Sequence, residues 1–171
     1  MLARIAERMA QVGLTVHPEK TRIVYCKDGK RRGDHEHTSL TFLGYTFRAR
    51  KAINRKTGQT FTRFLPAISD QALKAKRDRL RELRIGQRTD LTLDQLARWL
   101  NPIIAGWINY YGRFYRSQLV GLLQRVNFYI RRWATAKYKR LRTHKRFKAW
   151  WDGLLHRAPG LFIHWRTVRT Y

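Results

Sequence analysis

The stretch Thr92-Leu-Asp-Gln-Leu-Ala-Arg-Trp-Leu-Asn-Pro-Ile-Ile-Ala-Gly-Trp-Ile-Asn-Tyr-Tyr111 decides the fold. Leu93, Leu96, Ala97, Leu100, Ile104, Trp107, Ile108 and Tyr111 recur at helical spacing, one apolar stripe over about five turns. Thr92 followed by Gln95 is a capping box and fixes where that helix starts. Pro102 falls inside the stripe, so the spacing predicts a kink or a restart there, with Asn101 as the new cap.

Working outward, the same period continues on both sides. Downstream, a helix over 116–141 sets Leu119, Leu122, Leu123, Val126, Ile130 and Trp133 on one face, with Arg125, Arg131, Arg132 and Phe128 on the other. A further helix over 144–157 buries Phe147, Trp150, Trp151 and Leu154, and Leu161–Trp165 follows as an edge strand or a packed extension. Upstream, Ser69 caps a basic helix over 70–85 that Gly86 stops. Trp99, Trp107, Trp133, Trp150 and Trp151 are expected in the core.

Before Ser69 the period is different. Leu2, Ile5, Ala6, Met9 and Val12 make a short helix that Gly13 ends. Leu14–Val16 and Thr21–Tyr25 read as short strands around the turn His17-Pro18-Glu19-Lys20, and 27–39 as a loop. The runs Phe42-Leu-Gly-Tyr-Thr-Phe47 and Thr60–Leu65 alternate and are joined by Asn54-Arg-Lys-Thr-Gly-Gln59, a β-hairpin that Pro66 closes. The class is α+β: a small β-bearing unit over 1–68, then a mainly helical bundle over 69–171.

Charge points to the partner. Of 171 residues, 37 are Lys or Arg and 11 are Asp or Glu, a net +26. Residues 1–68 hold 14 cations and 5 acids, whereas 69–171 hold 23 and 6. From Arg113 onward there are 15 cations and one acid, Asp152. A chain so basic repels itself and is stabilised opposite a polyanion, while its 22 aromatic rings offer faces on which unpaired bases stack. Tyr110, Tyr115, Phe128 and Tyr138 would serve that role if they face outward. No apolar run is long enough to span a membrane, and the first residues hold no signal-peptide core. The single cysteine, Cys26, excludes an internal disulfide, so a cytoplasmic chain is expected.

Residues able to do chemistry are scarce. Asp34-His-Glu-His37 alternates ligand types, but Arg31 and Arg32 beside it repel a cation and no other cluster completes a site, so it reads as a hydrophilic loop. His144, His156 and His164 stand alone, fitted to packing or a phosphate hydrogen bond. Glu82, Asp90, Asp94 and Asp152 suit helix starts and surface ion pairs. No Walker loop, dinucleotide fingerprint or nucleophile elbow is present, and no set of residues can cleave or join a phosphodiester bond.

Three motifs stand in order: Gly13-Leu-Thr-Val-His-Pro-Glu-Lys-Thr21, Phe42-Leu-Gly-Tyr-Thr-Phe47 and Leu100–Tyr111. That order resembles the C-terminal portion of bacterial group II intron reverse transcriptases, the intron-encoded maturases. The first is similar to the sixth block of their palm, the second to the primer-facing hairpin, and the third to the maturase-specific domain, also called domain X or the thumb. Leu161-Phe-Ile-His-Trp-Arg166 resembles the closing segment of that domain.

The resemblance implies a remnant of the palm over 1–68 and a thumb over 69–171. It implies group II intron RNA and template–primer as partners, in support of splicing and retrohoming. It also implies two Mg²⁺ ions held on palm aspartates, in a Tyr-x-Asp-Asp block and an earlier one, and neither block is in this sequence. Mg²⁺ and catalysis are therefore expected to belong to a separate palm, possibilities including an upstream reverse transcriptase fragment, with Lys20 as an auxiliary group beside departing pyrophosphate. The expected nucleic-acid contacts are Phe42, Leu43, Gly44 and Tyr45 of the hairpin, together with Arg113, Arg116, Arg125, Arg131, Arg132, Lys137, Lys139, Arg140, Arg142, Lys145, Arg146 and Lys148. A general basic nucleic-acid binder unrelated to introns is the competing reading.

Overall fold

Capping chemistry sets the helix starts. In a computed structural model of the chain, which describes residues 2–33, 35–54 and 56–171, the Ser69 hydroxyl accepts the Ala72 N–H at 3.1 Å and opens helix α2 (Asp70–Glu82). Thr92 and Gln95 exchange bonds, Gln95 N–H to Thr92 Oγ1 at 3.3 Å and Thr92 N–H to Gln95 Oε1 at 2.8 Å. That reciprocal pair satisfies two donors left orphaned at the head of α3 (Leu93–Tyr111).

Two compact units result. One holds the stretch up to Phe42 together with Thr46–Leu65; the other holds Leu43–Tyr45 and Pro66–Tyr171. The first contains α1 (Leu2–Gln11), which buries none of its residues. Gly13 ends it at φ +73°, in the left-handed region where a residue lacking Cβ is unstrained, and Leu14 N–H returns to the Met9 carbonyl at 3.0 Å. The expected strands at 14–16 and 21–25 are absent. The Thr21 N–H does close the intervening turn onto the His17 carbonyl at 3.0 Å. Extended chain becomes a strand only beside a partner, and among the described residues the backbone bond across here is Tyr25 N–H to the His37 carbonyl, at 2.8 Å.

Strands β1 (Ser39–Phe42), β2 (Tyr45–Ile53) and β3 (Thr60–Ile68) form an antiparallel sheet in that order, and with the helices make the chain α+β. Phe42–Phe47 is therefore two strand ends and a tight turn rather than one strand. Leu43 at φ 48° and Gly44 at φ 77° both lie in the left-handed region, the signature of the two-residue turn whose twist suits a hairpin. The link 54–59 is held by Asn54, whose carbonyl accepts the Gly58 N–H at 2.8 Å; Arg55 of that link lies outside the described residues. Pro66 does not end the sheet. It sits within β3, an edge strand, where a missing N–H costs no ladder bond on the open side.

The helical unit is built on α4 (Val120–Lys137). Leu122, Leu123, Val126, Ile130 and Trp133 of this helix and Leu119 before it are all at or below 1% exposure. The expected helix over 116–141 divides into a 3₁₀ turn at Arg116–Leu119, α4, and a second 3₁₀ turn at Lys139–Leu141. Helix α3 runs unbroken through Pro102. Pro102 and Arg98 both lie on the exposed side, where water serves the carbonyl that loses its N–H partner. Asn101 is consequently not a cap. Its amide clamps the C-terminal tail, donating to the Leu161 carbonyl at 2.9 Å and accepting the Ile163 N–H at 3.0 Å. Helix α2 stops short of Gly86, because Arg84 takes the left-handed conformation at φ 47°.

Helix α5 (His144–Arg157) spans the expected residues. Phe147 and Trp151 are buried, whereas Trp150 and Trp99 are half-buried, against the expectation that all five tryptophans but Trp165 line the core. Trp165, Phe162 and His164 of the tail complete the interior as a packed extension ending in a 3₁₀ turn. Each fully buried large ring contributes on the order of 2–3 kcal/mol.

Asn127 joins the tail to α4 at a fully buried position. Its Oδ1 accepts the Trp165 indole N–H at 2.9 Å and lies 2.6 Å from His164 Nε2. Its amide nitrogen donates to the carbonyls of Thr170 at 2.7 Å and Val168 at 3.4 Å. An amide oxygen only accepts, so His164 Nε2 carries the proton, and Nδ1 is a bare lone pair with no partner in the interior. Burial pushes the imidazole down from 6.5 to about 4. The unfolded chain therefore binds this proton at higher pH than the folded one. Stability from this residue is present above pH 6.5 and is lost as pH falls through the window down to about 4. Urea titrations at pH 7 and pH 4 should differ by about 3 kcal/mol through this group, and His164→Gln should remove that part of the pH dependence.

Candidate nucleic-acid interface

The outward face of α4 carries Gln124, Arg125, Phe128, Arg132 and Thr135, and the helix contains no Asp or Glu. Its inner face is consumed by the core, so its polar residues other than Asn127 lie toward the other side. Arg131, Arg132 and Arg142 border a shallow depression of about 330 Å³ with Thr135 and Ala136. A second depression of about 300 Å³ adjoins it, sharing Arg132 and Ala136 and adding Arg81, Arg84 and Tyr129. Five arginines thus border these two neighbouring depressions, together the hollow. Guanidinium forks match phosphate oxygens in pairs and stay charged at any physiological pH.

Of the acids in the helical unit, Asp78 alone among the described residues pairs with an arginine that borders these depressions, Arg81. Asp78 pairs with Arg81 at 2.7 Å, Glu82 with Arg79 at 3.1 Å and Asp90 with Arg88 at 3.5 Å. Asp70 and Asp94 stand in the first turns of α2 and α3, where the helix dipole favours them. Asp152 holds Lys148 at 2.5 Å. That bond, more than the neighbouring charge, raises the Lys148 ammonium above the usual lysine value.

The expected contact residues separate into two groups. Arg113, Arg116, Arg125, Arg132, Lys139, Arg140, Arg142, Lys145, Arg146 and Lys148 are exposed. Arg116 donates to Thr167 Oγ1 at 2.9 Å. Others are committed inside the fold. Lys137 donates to the carbonyls of Thr89 at 2.6 Å and Leu91 at 2.9 Å, lying over the Trp133 ring. Arg131 lies over the rings of Phe147 and Tyr171 at 5.3 and 5.2 Å, which fixes its plane beside the hollow. Arg81 and Arg84 escaped the sequence reading; the basic run of α2 signalled them only as helix surface, and the left-handed Arg84 that turns the chain there has no sequence signature.

In the hairpin turn, Leu43 is 67% exposed in a backbone conformation that costs a branched side chain about 1–2 kcal/mol. Gly44 is required twice over, by its φ of 77° and because a Cβ there would stand 3.0 Å from the Tyr111 hydroxyl. Tyr45 is buried. Its ring packs against Tyr110, Tyr111 and Phe114, and its hydroxyl donates to the Tyr110 carbonyl. Desolvation first, then its tyrosine neighbours, raises the Tyr45 hydroxyl above the ordinary value. The Tyr110 hydroxyl donates to the Leu43 carbonyl at 2.9 Å, and the Ser69 N–H to the Gly44 carbonyl at 2.8 Å. Phe42 is 61% exposed.

Lys20 is exposed in the turn after Pro18, its backbone N–H directed to His17 Nδ1 at 3.3 Å. His35 stacks on Tyr25 with centroids 3.9 Å apart, and Asp34 lies outside the described residues. Among the described residues no three His, Cys, Asp or Glu side chains gather round a point that could hold a metal ion. The residues at hand do not fit the paired Mg²⁺ of a polymerase palm. Among them, too, no helix is long and apolar enough to cross a membrane.

A basic α+β chain with an arginine-bordered, acid-free helix face can be set beside known families. Residues 73–151 match the model of the group II intron, maturase-specific domain. The match opens within α2 and closes within α5, so it covers the hollow and all five of its arginines. Over that stretch the chain is similar to the maturase-specific domain, found in the C-terminal portion of group II intron maturases. No curated protein and no solved structure gives a significant match.

The division between committed and open cations can be checked on the free protein. Lys137→Ala removes the donor to two carbonyls and should cost about 1.5–3 kcal/mol in urea unfolding. Lys145→Ala, at an exposed position of α5, should change stability by less than about 0.5 kcal/mol.

Proposed function

We propose that the helical unit is the RNA-gripping module of a group II intron maturase. In this reading residues 69–171 are domain X, the thumb, and residues 1–68 are the end of the palm. The module holds folded intron RNA, and template–primer when DNA is copied, in support of splicing and retrohoming. The observation that carries the reading is the hollow bordered by Arg81, Arg84, Arg131, Arg132 and Arg142, inside the stretch that matches the maturase-specific domain. A folded RNA presents phosphates along its helices, and long arginine stems reach them without needing a base sequence. Exposed Arg113, Arg125, Lys139, Arg140, Lys145 and Arg146 widen the footprint.

The test is the affinity for a group II intron RNA, measured across salt against an unrelated structured RNA of equal length. If about eight phosphates are neutralised, affinity should fall by roughly 10³–10⁵ between 50 and 200 mM salt, and the intron RNA should be preferred throughout. Equal affinity for both RNAs would leave only a general basic binder.

A second reading has its own observation. Leu2, Ile5, Val12 and Leu14 are all exposed in and after α1, and the outer edges of β1 and β3 have no strand beside them among the described residues. Apolar surface and open sheet edges are what a partner covers. Here the chain is one half of a polymerase whose palm is a separate polypeptide bearing the Tyr-x-Asp-Asp block. The purified chain should extend no primer on an RNA template, and adding that palm should restore nucleotide incorporation. Failure to restore it would exclude this second reading.

A further inference from the structure

The exposed ring of Phe128 is out of place on a helix face otherwise built of guanidinium and amide groups. It is 45% exposed, against full burial of its neighbour Asn127, and its ring meets the Tyr129 ring edge-on with centroids 5.7 Å apart. Arg125 and Arg132 stand at i−3 and i+4, so one cation flanks the ring on each side along the helix. The spacing along the axis is about 4.5 Å on one side and about 6 Å on the other. Beside the ring lies a depression of about 400 Å³ that Gly121, Gln124, Arg125 and Tyr171 line with it. Gly121 leaves it open: a Cβ added there would meet nothing within 4 Å.

Chemistry selects the occupant. An apolar protein segment seated on Phe128 would bury two guanidinium groups without counter-ions, a cost of several kcal/mol per ion in the general case. A nucleotide brings its own anions. Its base offers a flat face to the phenyl ring while the phosphates on either side meet Arg125 and Arg132. In a duplex that face is covered by stacking, and in A-form RNA side chains cannot enter the deep groove to reach it. We infer that Phe128, Arg125 and Arg132 form a subsite for an unpaired RNA base, in which the ring stacks on the base and the arginines take its flanking phosphates. The subsite rests on the RNA-gripping reading and narrows it: the α4 face holds a single-stranded loop or bulge, and the adjoining arginine hollow holds backbone.

Two fluorescent probes separate the possibilities, a 12-nucleotide single-stranded RNA and the same strand annealed into a blunt duplex. Phe128→Leu keeps an apolar side chain without a ring, and Gly121→Leu fills the depression with a better helix former, so both variants should fold. Each should weaken binding of the single strand by about 5- to 100-fold while duplex binding is unchanged. Phe128→Trp should restore it. Arg132→Gln should lower the salt slope on the single strand by about 0.7. Equal losses on both probes, no loss on either, or wild-type binding confined to the duplex would overturn the subsite alone. A wild-type chain that binds neither probe would overturn the RNA-gripping reading and the subsite with it.

Discussion

Everything in the helical unit depends on the side-chain amide of Asn127 having all its valences used in a place without water. It receives an indole and an imidazole proton and gives both of its own to carbonyls of the last residues. A buried amide left half-bonded costs about 1–3 kcal/mol for each orphaned group, so this junction has one low-energy arrangement and few near it. It fixes the tail against α4, and the tail in turn seats Trp165 on Trp151 with centroids 5.2 Å apart. With its inner side sealed around Asn127, α4 keeps its charged residues on the outer side, and that side is cationic.

Positive charge and available positive charge are different quantities here. Lys137 stabilises the turn at Thr89–Leu91, Arg131 lies against the Phe147 and Tyr171 rings, Lys148 is neutralised by Asp152, and Arg50 is buried, its guanidinium donating to the carbonyls of Leu65 and Thr46 at 3.2 Å. What remains open is arranged along α4 and its neighbours rather than spread with the composition. Arginine predominates where the hollows form, and lysine on the exposed start of α5. Planar forks suit fixed, paired contacts, and ammonium groups suit diffuse attraction.

Much of the fold was legible because helices announce themselves locally. The Ser69 and Thr92 caps, the stripe of α3 and the bounds of α5 each follow from chemistry within a few residues of one another. Reading failed where distant parts decide. Asn101 looked like a cap because Pro102 follows it, yet its partners lie some sixty residues away, in the tail. The strands at 14–16 and 21–25 had the right residues and no neighbour to pair with. Phe42–Phe47 alternated like a strand, but a left-handed Leu43 is not deducible from its identity, since leucine avoids that region. The candidate interface was half visible: charge density pointed to the segment after Arg113, while Arg81 and Arg84 enter the hollow only through packing of α2 on α4.

The hairpin turn belongs physically to the helices, although a boundary drawn from periodicity falls after it. Leu43, Gly44 and Tyr45 supply one carbonyl to Tyr110, another to the first N–H of Ser69, and a ring to the cluster at the end of α3. A fragment trimmed to begin at Ser69 would strip all three at once, baring Tyr111 and leaving a phenol without an acceptor. A piece that keeps these contacts therefore starts more than twenty residues ahead of α2, and anyone shortening the chain should cut upstream of the turn.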